Sequence, residues 1–119
     1  MPNMSCPFCD RVERFDYEQS YDTVVRFEPL NPVVEGHMLF VPVWHAEHPS
    51  LEGVRAAMQW AENYGDHRGE DYNLITSSGP AATQTVAHLH VHYVPRRAGD
   101  GLALPWTGQK AAVIEGGAR

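Results

Sequence analysis

The hydrophobic pattern changes period along the chain, and the changes mark its elements. Residues 21–27 carry the β-branched pair Val24 and Val25 and read as a first strand. Residues 28–36 hold Pro29, Asn31, Pro32 and Gly36, a composition suited to a turn. Residues 38–43 are apolar enough for a buried strand, with Val33 and Val34 as a place where its pairing begins. The period then shifts to that of a helix. Leu51, Val54, Met58 and Ala61 follow at spacings of 3, 4 and 3, behind Pro49 and an N-cap at Ser50, with Gly65 as the stop. Glu52, Arg55, Gln59 and Glu62 fall off that stripe, and Trp60 sits at its edge, where it marks either core or a protein contact. Residues 66–71 read as polar loop, 72–77 as a strand, 78–84 as a Gly/Pro/Ala loop, and 86–94 as the clearest strand. At the start, residues 6–10 suit a knuckle or turn, and 11–20 a loop or short helix. Several strands around one principal helix, joined by short turns, predict an α+β fold with a mainly antiparallel sheet.

Length and charge narrow the partners. A chain of 119 residues makes one domain, 1–119, with 96–119 as a glycine-rich and polar tail. Fifteen acidic residues against nine basic ones give a net charge of −6, which argues against an extended nucleic-acid surface but leaves room for a local phosphate site. No apolar run approaches the ~20 residues that span a bilayer, and the start lacks the pattern of a signal peptide. The chain therefore reads as cytoplasmic, with no membrane partner. In that compartment Cys6 and Cys9, spaced Cys-x-x-Cys, are better suited to metal or redox chemistry than to a structural disulfide. Two thiolates need further ligands, and seven histidines make them available.

His88-Leu89-His90-Val91-His92 is the most informative segment. On a strand, the three histidines share one face and Leu89 and Val91 the other. Strand propensity gives no reason to repeat histidine, so the face predicts a site. One chemistry is chelation, with His88, His90 and His92 holding a metal of an open hydrolytic site. The other is attack on phosphorus by a neutral imidazole. The preceding segment 77–85, with Ser77, Thr83, Gln84 and Thr85, offers hydroxyls and an amide suited to phosphate oxygens and favours the second.

The stretch Gln84-Thr85-Val86-Ala87-His88-Leu89-His90-Val91-His92-Tyr93-Val94-Pro95 resembles the signature of the histidine triad family. Gly36-His37-Met38-Leu39-Phe40-Val41-Pro42 is similar to its second motif, and Cys6-Pro7-Phe8-Cys9 to the start of many bacterial members. The likeness covers about 6–97, leaving 98–119 as tail, and Arg96-Arg97-Ala98-Gly99-Asp100 looks closest to the fragile-histidine-triad branch of dinucleoside polyphosphate hydrolases. The resemblance implies a histidine triad fold that forms a homodimer and a hydrolase acting at the α-phosphate of a dinucleoside polyphosphate or nucleoside phosphoramidate. It makes His90 the nucleophile, His92 a phosphate-contacting partner and His37 a supporting histidine. Gln84 and Thr85 would bind phosphate and leaving group. Cys6, Cys9, His45 and His88 would hold a structural zinc, with His48 as the alternative to His45; His67 reads as a surface residue. Two positions depart from the family pattern. Pro29 stands where a ribose-binding Asn or Asp is usual, leaving Glu28 or Asn31 to substitute, and Ser77 stands where many members have Asn. These departures keep open a nucleotide-binding regulatory module with little turnover; the same chemistry, with a second phosphate in place of water, would make a nucleotidylyltransferase. The sequence leaves open whether Trp106 reaches a neighbouring subunit or covers its own core.

Overall fold

Cys6 opens the first helix by capping it. In the computed structural model, which describes residues 5–48 and 50–107, its thiol accepts the Cys9 amide at 3.4 Å, and Pro7 stands in the first turn, where no amide donor is needed. The predicted knuckle is therefore helix α1 (Pro7–Glu13), which buries Phe8 and Cys9. The predicted strand 21–27 is a hairpin instead. Asp22 adopts a φ of 54°, which breaks the chain into β1 (Gln19–Tyr21) and β2 (Val24–Phe27). β3 (Met38–Pro42) falls where expected, while Val33 and Val34 stay outside any strand.

Helix α2 (Leu51–Arg68) is capped by Ser50, whose hydroxyl accepts from the Gly53 amide at 3.1 Å. It runs through the predicted stop at Gly65 and ends at Gly69, whose φ of +65° is left-handed. Residues 66–68, expected in a loop, are thus helical, and His67 is exposed there, as expected. The buried stripe is also rotated from the apolar one. Gly53, Ala57, Ala61 and Gly65 face the sheet, Val54 and Met58 flank them, and Leu51 is 75% exposed. Small residues win that face because the helix lies close: a Cβ on Gly53 would overlap Leu89, and one on Gly65 the Tyr72 ring.

β4 (Asp71–Ile75) and β5 (Val91–Arg96) complete an antiparallel sheet of order β1-β2-β3-β5-β4. One face packs Val24, Phe40, Val91 and Tyr93 against Ala57 and Ala61 of α2. The other packs Val25, Phe27, Leu39 and Val41 against the two cysteines and Phe8 of α1. The expected strand 86–94 starts five residues late. His88 N–H is turned back to Val86 O, Leu89 N–H goes to Ala46 O, and the His88 carbonyl accepts from the His90 ring, so these groups are lost to a ladder. Trp60 stacks on Tyr21 and belongs to the α2-side core, whereas Trp106 is 56% exposed. No helix among the described residues is long and apolar enough to cross a membrane.

Candidate functional site

Two adjoining clusters are built from the Cys-x-x-Cys helix, the start of β3 and the histidine segment. The first joins Cys6, Cys9, His45 and His88, whose ligand atoms all lie within 4.8 Å of one another. The Cys6 Sγ to His88 Nδ1 distance is 3.3 Å, Cys9 Sγ to His45 Nδ1 3.4 Å, and Cys9 Sγ to His88 Nδ1 3.6 Å. A tetrahedral ion with zinc-type bonds of ~2.0–2.3 Å would hold its ligands ~3.3–3.8 Å apart, so these contacts match the edges of such a site. The His88 tautomer agrees. Its Nε2 lies 2.9 Å from the Pro42 carbonyl, which only accepts, so the proton sits there and Nδ1 turns a lone pair toward both sulfurs. His48 lies outside this group, 3.3 Å from the Ser78 hydroxyl.

The second cluster holds His90, His92 and His37. His90 Nδ1 lies 2.8 Å from the His88 carbonyl, so Nδ1 carries the proton and Nε2 keeps its lone pair. Phe8 packs edge-on against that ring at 5.1 Å between centroids. His37 is oriented in the same way: the Val33 amide donates to its Nδ1 at 3.1 Å, which puts its proton on Nε2. That Nε2–H donates to His92 Nδ1 at 2.9 Å, leaving the His92 proton on Nε2. Burial lowers His37 and His90 below the ordinary imidazole value. Burial, together with the nearby His90 and His37, brings His92 down to about 4. The three rings are neutral at physiological pH.

A cavity of about 320 Å³ opens onto His90, His92 and His37. Its walls include Phe8, Leu39 and Val86, with Pro29, Leu30 and Asn31 along the rim and Thr85 beside the histidines. The fold therefore brings Asn31 and Thr85 to the triad. Glu28 is exposed and does not line this cavity. Ser77 lines a second cavity, across His37 and His92. Gln84 is spent on the backbone: its amide oxygen accepts from Gly79 N–H at 2.8 Å and its nitrogen donates to the Glu47 carbonyl at 2.7 Å. It fixes the loop that carries Thr85.

Sequence reasoning missed Phe8 as a wall of the site, along with Asn73 and Arg96, which line the second cavity. The pairing Asn73↔Val94 in the β4–β5 ladder puts Asn73 next to the strand carrying His92. Only the register reveals that. Thr76, whose hydroxyl donates to the His90 carbonyl at 2.8 Å, is a further support without a sequence signal.

The family model described as "HIT domain" matches residues 17–99. An uncharacterised HIT-like protein of Methanocaldococcus jannaschii is 31% identical over 111 residues, covering 81% of this chain and 82% of that protein. An adenosine 5'-monophosphoramidase of Candida albicans is 26% identical, covering 86% of this chain and 78% of that protein. Among solved structures, a zinc-bound histidine triad family protein from Mycobacterium smegmatis superposes with a TM-score of 0.73 at 29% identity, covering 84% of this chain and 81% of that one.

Proposed function

The chain belongs to the HIT domain family, and from that premise we propose that it is a nucleotide hydrolase that acts at the α-phosphate through a covalent nucleotidyl-histidine. The observation that carries the reading is the 2.8 Å bond from His90 Nδ1 to the His88 carbonyl, which leaves Nε2 as the free lone pair of a ring on the cavity wall. In the first step, His90 Nε2 forms a bond to phosphorus as the bond to the leaving group breaks. The electron pair leaves with that group, which takes up a proton from solvent. In the second step water displaces the histidine, forms the nucleoside monophosphate and returns a proton. His92, with its Nε2–H set by the His37 bond, donates to a phosphate oxygen, and Thr85 adds a hydroxyl. The nucleoside lies along Phe8, Leu39 and Val86, with its sugar toward Pro29 and Asn31. Catalysis of this kind is mostly positioning.

Cys6, Cys9, His45 and His88 suit a zinc ion by donor type, spacing and tautomer. With four protein ligands such a site is closed, so bound zinc supplies folding energy rather than a reaction step. His88 joins the clusters, since its side chain faces the thiols and its carbonyl holds the His90 proton. A homodimer is part of the proposal, because β4 lies at a sheet edge with Ile75 exposed.

Quenching with SDS at alkaline pH during turnover of α-labelled nucleotide tests the reading. Label is expected on His90 as an acid-labile, base-stable phosphoramidate, absent in His90→Asn, which still binds nucleotide. Label persisting in that variant would assign the nucleophile elsewhere.

A further inference from the structure

Residues 45–47, between β3 and α2, are tied in turn to the thiols, the histidine segment and the loop that carries Thr85. His45 turns its Nδ1 to the Cys9 thiol at 3.4 Å. The Ala46 carbonyl accepts from Leu89 N–H at 2.6 Å, between His88 and His90. The Glu47 carbonyl accepts from the Gln84 side-chain nitrogen at 2.7 Å. Gln84 also closes its own loop: its amide oxygen takes the Gly79 N–H at 2.8 Å, and its backbone N–H returns to the Gly79 carbonyl at 3.1 Å. Thr83 stands inside that loop with a φ of 66°, a costly conformation for a β-branched residue, kept where the surrounding bonds over-determine it. Thr85 and Val86 then form a wall with space on both faces. One face lines the cavity at His90 and His92; the other lines a separate cavity of about 300 Å³ that also reaches Cys6, His45 and Glu47. With space on either side, hydrogen bonds rather than close packing hold the wall in place.

A shift of His45 is passed two residues along to the Glu47 carbonyl, across one hydrogen bond to Gln84, and from there to its neighbour Thr85. We propose that residues 45–47 are a strut coupling the cysteine–histidine cluster to the phosphate-binding wall, and that Gln84 is a positioning residue acting through Thr85. An ion on the thiols and a phosphate at Thr85 then strengthen each other's binding. The motif resemblance puts Gln84 on the phosphate itself; both ends of its amide are instead bound to backbone, which gives it this other task. An ion that fixes His45 preorganises the wall that phosphate must meet. The benefit is reciprocal, because a coupling between two sites has the same free energy in either direction. The inference rests on the nucleotide-site reading above and adds to it a link between ion and substrate.

Zinc-loaded protein and adenosine monophosphate, a product of the proposed reaction, test it. Zinc release to a chromogenic chelator is followed with and without the nucleotide, set at the same multiple of each protein's Kd. The nucleotide is expected to slow release about tenfold in wild type and by no more than about twofold in Gln84→Met, which keeps the side chain's length and removes both of its bonds. Gln84→Glu keeps an acceptor for Gly79 N–H but cannot donate to the Glu47 carbonyl, and should lose the protection as well. A merely structural Gln84, or linkage through global unfolding, would change the release rates but leave the protection ratio equal in wild type and variants, and would overturn the inference. So would wild-type release indifferent to bound nucleotide, with the nucleotide-site reading left standing. Protection retained in Gln84→Glu but lost in Gln84→Met would place the coupling in loop closure and overturn the strut. Wild type that binds neither this nucleotide nor its guanosine counterpart would overturn the nucleotide-site reading, and the inference with it.

Discussion

His92 shows how much one side chain depends on its neighbours. Its ring accepts from His37 and sits among imidazoles in a buried pocket, so a proton there is disfavoured and its value falls from the ordinary 6.5 to about 4. The unfolded chain protonates this residue near 6.5 and the folded chain only near 4. Between those values the unfolded state binds more protons, so this contribution to stability is complete above pH 6.5 and is lost as pH falls toward 4. Urea midpoints from pH 7 to 4 should therefore drop more steeply for wild type than for His92→Asn. Parallel slopes would contradict the assignment. Turnover should respond in the same direction. His90 is lowered by burial, so its lone pair remains available below the pH at which a free imidazole is half protonated. The acid limb of kcat/KM should accordingly lie below pH 6.5.

At the scale of elements, α1 is a splint for the histidine segment and α2 is a lid pressed onto the sheet. Two glycines, Gly53 inside α2 and Gly69 capping it, have different reasons for being there. Gly53 meets the end of the buried Leu89 side chain, between His88 and His90, so Gly53→Ala must push that side chain against the segment that presents both rings. Ala favours a helix over Gly by ~1 kcal/mol, but overpacking costs ~1–3 kcal/mol. The expected result is lower stability together with slower turnover, measured by urea unfolding and steady-state rates. Gly69 has open space around it but a φ of +65°. Gly69→Ala should cost about 1 kcal/mol of stability and leave turnover unchanged, because the strain is confined to the helix end. The pair separates close approach from backbone freedom.

At the scale of the molecule, the cysteine–histidine cluster ties together three parts of the chain that are distant in sequence: residues 6–9, 45 and 88. Metal binding to such a site is folding energy. Wild type should carry one zinc per chain, and chelation or Cys6→Ser should lower the Tm. His90→Asn should keep both zinc and Tm, since His90 turns its protonated nitrogen to the His88 carbonyl rather than to the thiols. A hydrolytic metal held by His88, His90 and His92 predicts the reverse: zinc lost in His90→Asn and retained in Cys6→Ser. Metal analysis of the two variants separates the readings. Light scattering at micromolar concentration checks assembly, with a dimer expected and a strict monomer counting against pairing at the β4 edge.

The sequence by itself determined what depends on residue type and short spacing. An α+β chain with one long helix, a site at the repeated histidines, and a Cys-x-x-Cys pair in need of imidazole partners all follow from local pattern, and the Ser50 cap is legible from a single residue. What only the tertiary structure decided depends on contact. The apolar stripe through Leu51 lost to Gly53, Ala57, Ala61 and Gly65, because the distance between helix and sheet selects size over hydrophobicity. The strand at 86–94 was shortened because His88 and His90 bond to backbone carbonyls and thiols that lie elsewhere in the chain or turn back on it. Which ring nitrogen holds each proton, and the place of Asn73 and Arg96 beside His92, arise from register and from groups far apart in sequence. Local spacing carries no record of such neighbours; folding brings them together.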